Sequence, residues 1–273
     1  MSSRRQDLPV AFVTGSRRGL GAEIAVELAG AGFDVILAGT VHDAVADRAV
    51  ERVRERGRRA AFIDADLGRL EDLADVADRA REAFGRIDCL VNNAAVQVDS
   101  RGDMLDASPS SLDRLLRINV QSPVLLTQHV VRDMLDAGRS DSPISRSIIF
   151  ISSNNAAVAS PFFAEYCISK AGLSMAAQLF ALRLAAEGIR VFDVRPGITR
   201  SDMSESSAHV YNGVIESGDA VPMRQWGDPA DVGRAVATIA SGGLPFSTGE
   251  VIHIDGGMHV PRFIVPGSVE SRR

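Results

Sequence analysis

Two tyrosines occur in the 273-residue chain, and one of them, Tyr166, stands four residues before Lys170, the chain's single lysine. The other basic residues, 30 in all with Lys170, are arginines. Arginine does not give up its proton at ordinary pH, whereas lysine carries a compact ammonium with a tunable pKa. On a helix, residues i and i+4 share a face, so this spacing places the ammonium beside the phenol. An unperturbed phenol near pKa 10 is a poor match to neutral pH. An ammonium within about 4–6 Å lowers an acid's pKa by roughly 1–3 units. Such a pair can deliver a proton to an oxygen, which is what reduction of a carbonyl requires when hydride reaches its carbon. The alternative, a lysine kept by accident of composition, is weakened by its place beside one of only two tyrosines.

A second constellation lies near the start. The turn Thr14-Gly15-Ser16-Arg17-Arg18-Gly19-Leu20-Gly21 follows an apolar run and opens a helical pattern. Glycines there let the backbone approach a pyrophosphate, and the helix N-terminus presents N–H groups and its positive dipole end. A glycine-rich turn alone is weak; between a strand and a helix it reads as a dinucleotide site. NAD sites usually hold the ribose 2′-hydroxyl with an acid at the end of the second strand. Here that end reads Leu37-Ala38-Gly39-Thr40-Val41, with no acid before Asp43. Arg17 and Arg18 offer guanidinium groups to a 2′-phosphate. NADP(H) is therefore favoured over NAD(H), unless both arginines simply face solvent.

The elements that must position these residues alternate along the chain. Apolar runs predict strands over 8–14, 33–38, 59–63, 87–91, 147–151, 189–194 and 250–254. Helical spacing predicts helices over 20–31, 43–56, 70–84, 111–137, 163–186 and 228–241, with Ser108-Pro109 as a start signal. Alternation of this kind implies an α/β fold: a Rossmann-type, doubly wound parallel seven-stranded sheet with helices on both faces. No composition break marks a second domain, so residues 1–273 read as a single dinucleotide-binding and catalytic domain. Two segments interrupt the rhythm, a polar loop over 138–146 and a long excursion over 201–227. The excursion leaves the edge where open sheets bind ligands, and is expected to act as a lid over substrate.

Composition bounds the rest. With 45% hydrophobic residues the chain can build its core without metals or disulfides. Two cysteines, Cys89 and Cys167, suit a reducing, cytoplasmic compartment. The polar N-terminus lacks the apolar stretch of a signal peptide, and no apolar run approaches bilayer length. A net charge of −5 gives no footprint for nucleic acid. The arginines of 52–59 alternate with Glu51 and Glu55 and read as a solvated face. The five histidines show no ligand spacing, so no metal is expected. Met203, Met223 and Trp226 either line a substrate pocket or pack a lid on the core.

The motifs taken together resemble the classical short-chain dehydrogenase/reductases along nearly the whole chain. The Thr-Gly-x-x-x-Gly-x-Gly turn is Thr14 to Gly21. Asn92-Asn93-Ala94-Ala95 follows the fourth strand, with alanine in place of the family's last glycine. Tyr-x-x-x-Lys is Tyr166 to Lys170, with Ser153 thirteen residues earlier and Asn119 in the preceding helix. Pro196-Gly197 follows the sixth strand, with Thr199 where the backbone meets the nicotinamide amide. The resemblance implies catalytic Asn119, Ser153, Tyr166 and Lys170. It places Gly15, Ser16, Arg17, Arg18, Gly19, Leu20, Gly21 and Thr40 around the adenosine ribose and phosphates. Asp66 and Leu67 would meet the adenine, and Asn93 and Ala94 the nicotinamide-side ribose. Ser153 would bond the substrate oxygen and Asn119 would hold a water linking Lys170 to solvent; an ordinary strand-end serine and a helix-interior asparagine are the alternatives.

The resemblance further implies a homotetramer built through the two long helices, acting on a small carbonyl or alcohol. The 3-oxoacyl-acyl-carrier-protein reductase branch is the most similar. One departure stands against carrier docking: Glu187 precedes Gly188-Ile189 where a basic residue is common. The rivals are an NAD-dependent dehydrogenase of sugars, polyols or other secondary alcohols, and a non-catalytic NADP-binding sensor. A sensor would be expected to have lost part of the Asn119, Ser153, Tyr166 and Lys170 set, and all four are present.

Overall fold

The computed structural model describes residues 8–99, 101–138, 146–200 and 208–261. The elements run β1 (Val10–Val13), α1 (Gly19–Gly30), β2 (Asp34–Gly39), α2 (Ala44–Glu55), β3 (Ala60–Asp64), α3 (Leu73–Phe84) and β4 (Cys89–Asn92). Then follow α4 (Pro109–Leu116), a π-helical turn (Arg117–Gln121), α5 (Ser122–Asp136), β5 (Ser147–Ile151), α6 (Ala164–Leu184), β6 (Arg190–Pro196), α7 (Ala208–Ser217), α8 (Pro229–Ala240) and β7 (Val251–Ile254).

The seven strands form one sheet in the order β3-β2-β1-β4-β5-β6-β7, every pair parallel. Parallel strands covered on both faces need apolar residues in both alternating positions. Phe12, Ile36, Leu90, Ile148 and Phe150 face one layer, packed with Leu73 and Val76 of α3, Leu126 and Val130 of α5, and Leu173 of α6. Ala11, Val13, Leu37, Val91 and Ile149 face the other, against Ile24 and Leu28 of α1, Val50 and Val53 of α2, and Val236 of α8. The order doubles back after β1: the chain leaves β1 toward β2 and leaves β4 toward β5. The carboxyl ends of β1 and β4 therefore diverge and open a crevice between their loops.

Two expectations are corrected. The single helix over 111–137 is two helices joined by the π-helical turn. Pro123 explains the break, because it has no N–H to give to the carbonyl of Asn119 four residues before it. The 201–227 excursion is not plain loop: it contains α7, whose Ile215 is buried. Residues 201–207, including Met203, and the 139–145 part of the polar loop lie outside the described residues.

Closeness at the β1 turn is extreme. A Cβ on Gly21 would stand 2.3 Å from the Gly15 carbonyl oxygen and 2.5 Å from Asn93 Nδ2. Neither neighbour has room to retreat, since Asn93 Nδ2 donates to the carbonyls of Thr14 (2.9 Å) and Gly15 (3.1 Å). Gly21→Ala should therefore cost roughly 1–3 kcal/mol by overpacking, lowering Tm by about 2–4 °C per kcal/mol in a chain of this size. Calorimetry of the purified variant checks this, and an unchanged Tm would contradict the packing described.

Candidate active site

A cavity of about 560 Å³ opens at the carboxyl ends of the strands. At one end it is walled by Gly15, Arg17, Arg18, Gly19, Leu20 and Gly21 from the first turn, and by Thr40, Asp66 and Leu67 after β2 and β3. Its middle holds Asn93 and Ala94, and its far end Ser153, Tyr166, Lys170, Pro196, Gly197 and Thr199. The cavity thus gathers residues from six strand ends. The residues present fit a dinucleotide. No side chain caps the N-terminus of α1, leaving its dipole to an anion. Gly19 sits at φ +59°, and a Cβ there would point into empty space, so its backbone is open to close approach.

The far end is organised by the exits of β5 and β6. Tyr166 and Lys170, on the first turns of α6, are both buried. Lys170 Nζ lies 5.6 Å from the centre of the Tyr166 ring and donates to the Ile151 carbonyl at 3.0 Å. Ser153, just past β5, shares this end of the cavity with Tyr166. Burial pushes the Tyr166 phenol up to about 12, against a smaller lowering by the Ser153 side chain. Burial also brings Lys170 down to about 8, opposed by the nearby Asp193 carboxylate. The sequence predicts a phenol acidified by its lysine. Here desolvation outweighs any such effect, because the ammonium is turned to a backbone carbonyl and the hydroxyl has lost its water.

Residues 15–259 match the sequence profile of a family described as Enoyl-(Acyl carrier protein) reductase. Versicolorin reductase 1 of Dothistroma septosporum is 32% identical over 267 residues, covering 93% of this chain and 97% of that protein. A 3-oxoacyl-[acyl-carrier-protein] reductase of Staphylococcus epidermidis is 29% identical, covering 92% of this chain and 98% of that protein. The crystal structure of a 3-oxoacyl-[acyl-carrier protein] reductase from Brucella melitensis in complex with NAD superposes with a TM-score of 0.90. It is 42% identical, over 94% of this chain and 99% of that one. The chain belongs to the short-chain dehydrogenase/reductase family. It is an NAD(P)-dependent oxidoreductase.

Two residues named from the sequence stand back from the cavity of this short-chain dehydrogenase/reductase. Ser16 is fully buried, its hydroxyl donating to the Val13 carbonyl at 2.7 Å and its N–H to the Ala38 carbonyl at 2.8 Å. It shapes the turn from inside. Asn119 is buried behind the wall, where its Oδ1 accepts from Val96 N–H (2.8 Å) and its Nδ2 donates to the Val96 carbonyl (2.9 Å) and Ser169 Oγ (3.1 Å). It ties the π-helical turn to the strand β4 exit and to the residue before Lys170.

Other participants escaped the sequence. Ala38, Gly39, Ala65, Gly68, Ala95, Val96, Ile118, Ile151 and Ser152 also line the cavity. Beneath the Tyr166 end, Asp193 of β6 accepts from Ser152 Oγ, from Ser174 Oγ at 2.7 Å and from Arg195 Nε at 3.0 Å. Asp43, the first acid after β2, grips Arg17: Arg17 Nε donates to it at 2.9 Å and Nη2 also donates. It also caps α2 through the N–H groups of Val45 and Ala46. The arginine's hydrogen bond, above all, holds this carboxyl far below the usual range. The histidines are less scattered than expected. His253 and His259 stack at 3.8 Å, and His259 N–H, Gly257 N–H and Asn154 Nδ2 all donate to Asp255. That group braces Asn154, next to Ser153.

Asn119→Ala would strand the Val96 N–H and carbonyl. Each buried polar group left without its partner costs about 1–3 kcal/mol. The variant should unfold at correspondingly lower urea concentration with an unchanged m-value. A midpoint equal to that of the parent would show that the Asn119 brace does not hold.

Proposed function

We propose that the chain is an NADP(H)-dependent oxidoreductase that interconverts a carbonyl and a secondary alcohol, with a 3-oxoacyl-like substrate. The observation that carries this reading is the opening of Ser153, Tyr166 and Lys170 into the same cavity as the glycine turn. When bound, the nicotinamide supplies or takes the hydride. Ser153 and Tyr166 together converge on one substrate oxygen, which suits a carbonyl better than the carbon–carbon double bond that the family profile's description implies. Tyr166 keeps its proton in the resting site and gives it to that oxygen as negative charge develops there. Lys170 restores the proton, with the Ile151 carbonyl fixing its ammonium. Asn119 holds the π-helical turn against Val96 and Ser169 and positions the wall through which a water would reach Lys170. Among the described residues no helix is long and apolar enough to cross a membrane.

The assembly in this reading is a homotetramer through the paired long helices. Its support is a stripe on α6, where Ile168, Met175, Leu179 and Leu182 are all exposed. The carrier-docking position remains acidic, and Glu187 is paired with Arg183 at 3.3 Å. The substrate is therefore stated as a carbonyl compound, without a carrier protein.

For the cofactor, NADP(H) is supported by Thr40, Arg17 and Arg18 on the wall beside the β2 exit. Asp43 is engaged with Arg17 and the α2 amides, so its carboxylate is not offered to a ribose hydroxyl. The second reading, NAD(H), is favoured by the Brucella melitensis enzyme in complex with NAD. Steady-state kcat/KM with both cofactors decides. NADPH should be preferred, and Arg18→Ala should weaken NADPH more than NADH; a preference for NADH overturns the assignment.

The proton relay is tested at Lys170. If its ammonium is required, kcat/KM for reduction should fall as pH rises through about 8, where Lys170 loses its proton. Tyr166, near about 12, stays protonated across that range. Lys170→Arg should lose at least about 10²-fold in kcat, and its residual activity should lack the limb near pH 8, since guanidinium does not titrate there. Tyr166→Phe should lose as much. Circular dichroism first establishes that both are folded, and a folded Lys170→Arg enzyme with near-normal kcat would leave the lysine as plain charge.

A further inference from the structure

Close in sequence to the cavity-lining Thr199 and Tyr166, two guanidinium groups lie over aromatic rings. Arg101 stands 4.6 Å from the centre of the Phe163 ring and 5.4 Å from that of Tyr211, and its Nη2 donates to the Tyr211 hydroxyl at 3.2 Å. Arg200 stands 5.4 Å from the Trp226 ring. Tyr211 and Trp226 meet edge to face at 6.0 Å, and Trp226 Nε1 donates to Asn212 Oδ1 at 2.9 Å. The five side chains Arg101, Phe163, Tyr211, Trp226 and Arg200 therefore form one unit, drawn from the β4–α4 loop, the start of α6, α7, the segment before α8 and the β6 exit.

Three observations aim this unit at the site. Phe163 is the residue from which α6 starts, three before Tyr166. Trp226 and Arg200 flank the Thr199–Gly227 bridge, and Thr199 is part of the cavity wall. The Tyr211 hydroxyl is near enough to Tyr166 to add to the upward push on its phenol. Both arginines are exposed, and neither pairs with a carboxylate among the described residues. By contrast Arg114, from the neighbouring helix, is paired with Asp99 at 2.6 Å. A guanidinium laid on a ring keeps its in-plane N–H fork turned outward, the geometry that takes a carboxylate or phosphate bidentately. On a chain of net charge −5, the two arginines of this unit are cations open to an anion.

We propose that Arg101 and Arg200, seated on Phe163, Tyr211 and Trp226, bind an anionic tail of the substrate, a carboxylate or phosphate several bonds from the reacting carbonyl. This rests on the carbonyl reading above and narrows it to anionic carbonyl compounds. The aromatic rings orient the guanidinium groups, so the pocket sorts substrates by charge at these arginines while Ser153 and Tyr166 handle the oxygen.

The chain has a single tryptophan, Trp226, so its fluorescence reports this unit directly and without turnover. The probes are levulinate and 6-oxoheptanoate, each compared with its methyl ester, on the enzyme saturated with NADP+. The oxo acids should titrate the Trp226 signal with a Kd at least about tenfold below that of their esters, and added salt should erode the difference. Arg101→Leu and Arg200→Gln should each shrink the acid-to-ester ratio by about tenfold or more, the loss of one charge-assisted hydrogen bond. Arg101→Lys, which keeps charge but not the fork, should fall between. In turnover with NADPH the same ratio of kcat/KM values should follow. Equal affinity for acid and ester, or a ratio untouched in both arginine variants, overturns the proposal. Failure of the carbonyl reading looks different: no probe oxidises NADPH while Trp226 still distinguishes acid from ester.

Discussion

An ammonium group buried at 2% exposure is the constraint around which the rest of this fold is arranged. Water would solvate Lys170 far better than protein does, and a burial cost of this kind is tolerated only where the surroundings answer it. The Ile151 carbonyl answers the donor directly. Asp193 answers the charge from one strand over, and it is itself held by Ser152, Ser174 and Arg195. The β5–β6 register sets this up, because it aligns Phe150 with Asp193 and Ile151 with Val194. A shift of one residue would carry Asp193 to the opposite face and leave the ammonium without its counter-charge. The site's electrostatics are therefore a property of the sheet, not of the helix that carries Tyr166 and Lys170.

The other end of the cavity depends on a different physical means, the removal of side chains. Gly15 and Gly21 approach so closely that Asn93 can reach across from β4 and close the turn onto the β4 exit. Thr14 reinforces this, its Oγ1 accepting the N–H groups of Asn93 and Ala94 at 3.0 and 3.1 Å. The two loops that diverge at the strand reversal are thus stitched at their base and open above it. This is the shape a dinucleotide needs: a narrow floor for the diphosphate, with separate pockets on either side.

How far the sequence carries this picture depends on the range of each interaction. Strands buried on both faces announce themselves as apolar runs, and the β1 turn as glycines between a strand and a helix. The pairing of Tyr166 with Lys170 follows from helical spacing alone. The π-helical turn is harder, since Leu115, Asn119 and Leu126 fit one continuous helix; only Pro123, four residues beyond Asn119, marks the break. Asp193 and Asp43 could not be found by local pattern. Asp193 looks like any polar residue in a strand until β5 and α6 are laid beside it. Asp43 looks too far from β2 until the first turn brings Arg17 back over it. The direction of the Tyr166 shift escapes the sequence for the same reason: spacing gives proximity to an ammonium, but the depth of burial and the direction in which Nζ points are tertiary facts.

That direction has a chemical consequence on the proposed mechanism. A phenol lowered toward neutrality would sit partly ionised in the resting site, and an ionised Tyr166 cannot protonate a nascent alkoxide. Raised by burial to about 12, it stays neutral and keeps its proton available through the whole approach of the substrate. An alkoxide is more basic than a phenolate, so the transfer is downhill only once hydride has reached the carbon, and the proton moves late. The phenolate that remains is then buried, and in the proposed mechanism the proton it takes back comes by way of Lys170, whose ammonium the same burial makes more acidic. Burial thus shifts both groups at once, raising the phenol and lowering the ammonium, and both shifts suit the proposed donation of the Tyr166 proton to a substrate oxygen.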